Sequence, residues 1–85
     1  MQDTGRPYTE QGDVRTFTQN TPQEEFVWHR DREDRAIDPL HPTDWLFQFD
    51  NEVPRKITRQ LFIPKNTYHR LIKGTGDLKI RVTKL

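Results

Sequence analysis

Few side chains in this chain could do chemistry, and histidine is the main one. The 85 residues include three histidines, no cysteine and no serine, so catalysis by a thiolate or a serine hydroxyl is excluded. His29 and Asp31 are two residues apart, and on a strand their side chains would project to the same face. An imidazole and a carboxylate on one face are ligands that divalent transition metals accept. His41 lies between Pro39 and Pro42, in a loop where a surface position is expected.

Short strand-like runs, separated by turn residues, must hold these side chains in place. Apolar and polar residues alternate through residues 45–50 and 78–83, which is typical of half-buried strands. Further strands are predicted at 26–31, 61–63 and 68–72, and turns at 50–52, 65–66 and 74–77. No segment has helical apolar spacing over ten residues, so the chain is predicted to be all-β, a small antiparallel sandwich or barrel.

The N-terminal quarter differs in texture from the rest. Residues 1–22 have only three sizeable apolar side chains, those of Tyr8, Val14 and Phe17, which is too little to offset the entropy of ordering. We predict a flexible N-terminal arm over 1–22, in which 14–18 could add as an edge strand, and a β-barrel domain over 23–85. If the arm orders on the sheet of a second subunit, the protein is a homodimer.

Composition and charge narrow the classes of partner. The hydrophobic fraction of 31% implies a thin core, which a bound metal or self-association would stabilise. Residues 1–53 hold 5 basic and 12 acidic side chains, and residues 54–85 hold 9 basic and 1 acidic. We interpret this asymmetry as acidic and basic strands lying side by side, which makes nucleic acid an unfavoured partner. No targeting or membrane-spanning pattern is present, and a cytoplasmic location is expected.

The run 61–70 resembles the second conserved motif of the cupins, in which a proline, a turn glycine and a histidine follow one another in a strand–turn–strand. Pro64 and His69 match that motif. Asn66 replaces the glycine, which is tolerable because asparagine also enters the left-handed region. Thr58 and Lys73 replace the outer glycine and asparagine of the motif.

The first cupin motif has a weaker counterpart at 29–42. His29 matches its first histidine, Asp31 stands at its second histidine, Arg35 at its glutamate and Pro42 at its glycine. The resemblance covers residues 25–85 and is strongest to the very short cupin-like proteins of bacteria and their phages. It implies a small antiparallel cupin-like barrel of the jelly-roll type.

This resemblance implies a central pocket in which His69 faces His29 and Asp31. Two imidazoles and a carboxylate on one side of a cation form the facial triad of non-haem iron(II) sites, and iron, manganese, nickel or zinc would suit it. A minimal metal-dependent enzyme is then conceivable. Alternatively, Arg35 pairs with Asp31, and the histidines line a pocket for a small polar or anionic ligand. Further expected pocket residues are Glu33, as a spare ligand, together with Gln48 and Tyr68.

A second function stays open at this stage. The basic strands near the C-terminus could make the protein a non-catalytic interaction module for a protein or a nucleic acid, with Lys79 and Arg81 as contacts. Such binding would be sensitive to salt, and His69 would have no part in it.

Overall fold

Strands are the only regular elements of the computed structural model, which describes residues 8–20 and 26–85. In chain order they are β1 (Tyr8–Gln11), β2 (Val14–Phe17), β3 (Arg35–Pro39), β4 (Leu46–Phe49), β5 (Arg55–Lys56), β6 (Leu61–Ile63), β7 (His69–Ile72) and β8 (Leu78–Lys84). The prediction of an all-β chain is confirmed. Within the described ranges no helix is long and apolar enough to cross a membrane.

The strands form two antiparallel sheets. The larger sheet has the order β1-β2-β8-β3-β6, and the smaller has the order β5-β4-β7. This arrangement of two antiparallel sheets agrees with the predicted small antiparallel sandwich or barrel. It differs from a closed barrel, because no continuous strand ladder joins the two sheets in the part of the chain that the structure describes.

The core lies between the sheets and is built from alternating side chains. Leu78, Ile80 and Val82 of β8 are buried, and the residues between them are exposed, as the period of two predicted. Trp45 is fully buried, and its indole Nε1 donates a hydrogen bond to the carbonyl of Gly76 at 3.0 Å. These side chains form one cluster with Phe17, Phe26, Ile37, Phe47, Ile57 and Ile63.

The described part of the predicted arm is built into the larger sheet. A two-residue turn, in which Gly12 has a φ of 64°, joins β1 to β2, and β2 pairs with β8 along its whole length. Phe17 at the end of β2 is only 5% exposed and belongs to the core. Residues 1–7 and 21–25 lie outside the described residues, so the predicted boundary between residues 22 and 23 stays a prediction.

Two predicted features at the motif positions have different outcomes. Asn66 adopts a φ of 62°, so it takes the left-handed turn conformation expected of it. The strand predicted at 26–31 is wrong, since only an isolated bridge at His29 forms there. The neighbouring strand β3 begins later, at Arg35, and places Ala36 and Ile37 in the interior.

Acidic and basic side chains from the two halves of the chain lie next to each other. The guanidinium of Arg81 is 3.3 Å from the carboxylate of Asp13, and the ammonium of Lys84 is 3.8 Å from that of Glu33. These contacts follow from the pairing of β8 with β2 and β3. They agree with the interpretation that the charge asymmetry reflects strands lying side by side.

Candidate metal and ligand site

His29 and His69 are held opposite each other by their own backbones. The amide of His29 donates to the carbonyl of His69 at 3.1 Å, and the amide of His69 donates to the carbonyl of His29 at 2.9 Å. This reciprocal pair is the bridge that attaches the irregular segment at residue 29 to β7. It brings the two imidazole centroids to 4.4 Å from each other, although the residues are 40 positions apart in the sequence.

Both imidazoles are fixed in the same tautomer by backbone carbonyls. Nδ1 of His29 lies 2.9 Å from the carbonyl oxygen of Val27, and Nδ1 of His69 lies 2.8 Å from that of Thr67. A carbonyl can only accept, so each Nδ1 carries the proton. In the neutral ring, Nε2 then presents a lone pair, as in histidine metal ligands whose other nitrogen donates to the protein.

Asp31 supplies the carboxylate of the group. Its Oδ2 is 3.5 Å from Nε2 of His69, and its Oδ1 is 3.4 Å from a terminal nitrogen of Arg35. The turn before β7 fixes the loop that carries Asp31, because the amide of Asn66 donates to the Asp31 carbonyl at 2.7 Å. The adjacent amide of Lys65 donates to the carboxylate of Asp34 at 2.8 Å.

These three residues fit a divalent metal ion. His29, Asp31 and His69 can each offer one ligand atom, and those atoms lie within 4.8 Å of one another. The set contains two imidazole nitrogens and one carboxylate, which is the donor set of a facial triad. His29 is exposed, Asp31 is half-buried and His69 is buried, so the group faces solvent on one side and the core on the other.

The surroundings of His69 keep its imidazole neutral. The ring is 5% exposed and stacks on Phe47 with centroids 5.5 Å apart and planes at 19°. Burial lowers the pKa of His69 below its ordinary value, and the nearby His29 and Arg35 act in the same direction. The hydrogen bond to Thr67 and the charge of Asp31 oppose this change in the pKa without cancelling it. A neutral imidazole can ligate a metal without first losing a proton.

Arg35 points towards this group, as expected from the alternative interpretation in which Arg35 pairs with Asp31. Its guanidinium pairs with Asp31 and also with Glu33, at 3.2 Å. The Nε of Arg35 is buried, and no described residue accepts a hydrogen bond from it. The carboxylate of Asp31 is therefore shared between Arg35 and His69.

A cavity of about 340 Å³ opens beside the group. Its polar lining residues are Tyr8, Arg15, His29, Asp31, Arg35 and His69. The other lining residues are all apolar, and they come from both sheets and from the segment before His29. Those from the strands include Phe17, Phe47, Ile63, Leu71, Ile80 and Val82.

The remaining predicted pocket residues lie elsewhere. Glu33 does not line the cavity, and its carboxylate lies against Arg35 and Lys84. Gln48 faces the outer side of the smaller sheet, where its amide oxygen accepts from Nε of Arg70 at 3.1 Å. Tyr68 is 41% exposed and lies beneath the guanidinium of Arg30. None of these three residues lines the cavity, although each was predicted to contact a ligand there.

Two polar residues of the cavity lining were not predicted to belong to it. Tyr8 and Arg15 both come from the hairpin that the sequence assigned to a flexible arm. The guanidinium of Arg15 lies 4.6 Å from the centre of the Tyr8 ring and forms a 3.0 Å ion pair with Glu10. The signal that could have found them is the Gly12-Asp13 dipeptide, a two-residue hairpin turn.

The similarity of this chain to other proteins is structural. No family model matches it, and no curated protein matches it. A candidate mannose-6-phosphate isomerase from Ralstonia eutropha has a similar structure, with a TM-score of 0.60 and 12% identity over 89% of this chain and 77% of that chain. Protein NMB1881 from Neisseria meningitidis is also similar, with a TM-score of 0.58 and 11% identity over 100% of this chain and 88% of that chain. At such identities the likeness concerns the fold alone, and it is consistent with a cupin-like architecture.

Proposed function

We propose that this protein is a small cupin-like metal-binding protein, and that His29, Asp31 and His69 hold a divalent ion in its cavity. The observation that carries the proposal is the fixed tautomer of both imidazoles. Each Nδ1 donates to a backbone carbonyl, so each Nε2 lone pair is left for another partner. Iron(II), manganese, nickel and zinc all accept mixed imidazole and carboxylate ligation.

Arg35 has a supporting role in this proposal. A guanidinium next to a metal site opposes the cation, yet Arg35 contacts the Asp31 oxygen other than the one nearest His69. The oxygen nearest His69 therefore stays available to a metal, while Arg35 orients the carboxylate. Partners that orient metal ligands in this way commonly affect metal affinity.

An enzymatic activity would build on the same group. A bound divalent ion would polarise an oxygen of a bound molecule or lower the pKa of a bound water. The chain itself would contribute the two imidazoles, the oriented carboxylate and an apolar wall that limits the access of water. One protein with a similar structure is named as a candidate mannose-6-phosphate isomerase, so metal-dependent isomerisation is one form of this activity. Most residues of the cavity lining are apolar, however, and offer a sugar few hydrogen-bond partners.

The proposal is tested by metal analysis of matched histidine variants. Purified protein incubated with iron(II), manganese, nickel or zinc and then desalted should retain about one equivalent of at least one of these ions, as expected for a single triad. His29→Ala should abolish retention and leave the fold intact, since His29 is exposed. His69→Ala should also abolish it.

His41→Ala is the matched control. The Nδ1 of His41 lies 2.9 Å from the Pro42 carbonyl, and its Nε2 accepts from the amide of Lys79 at 3.2 Å. Both nitrogens are therefore occupied, and this variant should retain metal like the parent protein. Folded parent protein that takes up none of the four ions would refute the proposal.

A further inference from the structure

The residues that line the cavity also indicate which class of molecule fits there. Arg35 lines it together with the two histidines. Two of the three nitrogens of the Arg35 guanidinium contact carboxylates, and Nε is buried without an acceptor among the described residues. Buried donors are nearly always paired in folded proteins. Arg35 therefore lines the cavity and has one guanidinium nitrogen without an acceptor among the described residues.

Apart from Tyr8 and Arg15, the rest of the wall is apolar and disfavours a ligand with a polar body. Apolar side chains from β2, β4, β6, β7 and β8 face the cavity. A sugar or another polyol would bury hydroxyl groups against them without partners, which is unfavourable. The body of a fitting ligand is therefore apolar, and its polar end lies at the side where Arg35, His29 and His69 meet.

With a metal in the proposed site, the charges at that side favour an anion. Arg35 and Arg15 are the cations of the lining and Asp31 is its single acidic residue, while Glu33 and Glu10, which pair with the two arginines, lie outside the lining. A metal held by the proposed triad would add two positive charges and take up the Asp31 oxygen nearest His69, while the other oxygen stays with Arg35. Planar guanidinium groups match planar carboxylates in particular.

We infer that the cavity binds a small monocarboxylate with an apolar body, whose carboxylate contacts Arg35 and gives its Nε the missing acceptor. The inference rests on the proposed function in that the same cavity holds the metal, and it assigns the class of the second ligand. Benzoate is a suitable probe, because it combines one carboxylate with a planar apolar ring.

The test compares benzoate with two matched compounds by calorimetric titration of metal-loaded and of chelator-treated protein. Benzoate should bind with one site, and more tightly to the metal-loaded form. Benzamide, which has the same shape without the charge, should bind about tenfold more weakly or worse, because it cannot form charge-assisted hydrogen bonds. Mannose 6-phosphate should bind more weakly than benzoate.

A variant of Arg35 and an NMR signal of its Nε–H group test whether Arg35 binds benzoate. Arg35→Lys keeps the charge but removes the forked donor, so benzoate affinity should fall about tenfold or more. Arg55→Lys, at an exposed arginine paired with Glu52, should leave the affinity unchanged. If Arg35→Lys does not fold, the Nε–H resonance of Arg35 in the parent protein is the readout, and benzoate should shift it.

The outcomes separate the two proposals. Equal binding of benzoate and benzamide, tighter binding of mannose 6-phosphate, or an Nε–H resonance of Arg35 that benzoate leaves unchanged would overturn the carboxylate inference. Protein that retains metal and fails to bind benzoate refutes only the inference. Protein that binds benzoate through Arg35 and retains no metal refutes the metal site and leaves the carboxylate site standing.

Discussion

At the scale of single residues, burial and charge determine which neighbours of Asp31 are cations. Asp31 lies between Arg35 and His69, within 3.5 Å of both. Arg35 is permanently charged at physiological pH, whereas burial holds His69 in its neutral form. The carboxylate thus has one fixed cation beside it, and one neighbour whose charge depends on pH.

His69 should make the stability of the metal-free protein depend on pH. The pKa of His69 is lowered in the folded state, chiefly by burial, so the unfolded chain binds a proton more readily. Its contribution to stability is therefore complete above the unfolded pKa of about 6.5 and is lost as the pH falls below that value. Urea unfolding of chelator-treated protein should show a free energy of unfolding that decreases from about pH 7.5 to pH 5.5.

Two variants show whether His69 is the group responsible. His69→Gln removes the titration and should flatten the pH dependence of the unfolding free energy over this range. Phe62→Leu, at an exposed position that does not titrate and lies outside the cavity lining, should leave the slope as in the parent protein. An unchanged slope in His69→Gln would contradict the assignment.

Sequence could identify the residues of the candidate group, but it could not identify all of their neighbours. His29, Asp31 and His69 were predicted from motif positions, and the structure brings their ligand atoms together. The irregular path at residues 26–31 was hidden, because Phe26, Val27 and Trp28 have the residue types of a strand. The carbonyl of Val27 that fixes the His29 tautomer comes from that irregular path, and no side-chain pattern encodes it.

At the scale of elements, turns explain both the successes and the failures of prediction. The turns at 65–66 and 74–77 were recognised from asparagine and glycine, and the structure has turns or bends there. An edge strand at 14–18 was predicted and corresponds to β2. Strand β1 was missed, because it is mostly polar and exposed and too few apolar residues marked it. Pairing with β8, a contact remote in sequence, is what orders this segment.

Gly74 is required by the close approach of the β7–β8 turn to the start of β4. The carboxylate of Asp44 accepts from the amide and hydroxyl of Thr75, at 2.8 and 2.7 Å, and these bonds lower the pKa of Asp44. A Cβ at Gly74 would lie 2.3 Å from Oδ1 of Asp44 and 2.8 Å from the backbone nitrogen of Trp45. No rotation of a side chain removes the second contact.

Gly74→Ala should therefore destabilise the protein by about 1–3 kcal/mol, the usual cost of forcing atoms into a packed site. Urea unfolding monitored by the fluorescence of Trp45 and Trp28 measures this free energy. Gly12→Asn is the control, because nothing lies within 4 Å of a Cβ at Gly12 and asparagine tolerates its left-handed conformation. A Gly74→Ala protein as stable as the control would show that the turn does not lie against Asp44.

At the scale of the whole molecule, one aromatic residue packs the hairpin against the rest of the core. The ring of Phe17 lies 5.1 Å from that of Tyr8, 5.8 Å from that of Phe26 and 6.2 Å from that of Trp45. Phe17 also lines the cavity. Because Phe17 belongs to the core cluster, we expect the hairpin to contribute to the stability of the domain.

Phe17→Ala tests this by comparison with Phe62→Ala. Removing a buried phenylalanine costs about 3–5 kcal/mol, which is much of the stability of a small domain, since small domains have only about 5–15 kcal/mol in total. Phe62, on β6, is 53% exposed, and its replacement should change the free energy of unfolding by about 0.5 kcal/mol or less, as at other surface sites. Chemical denaturation of both variants measures the two free energies of unfolding. Because Phe17 lines the cavity, Phe17→Ala should also bind benzoate less tightly.

Equal small effects of the two substitutions on the free energy of unfolding would mean that the hairpin is a detached arm. The cavity would then lose the part of its wall that Tyr8, Arg15 and Phe17 form, whereas the group of His29, Asp31 and His69 would remain.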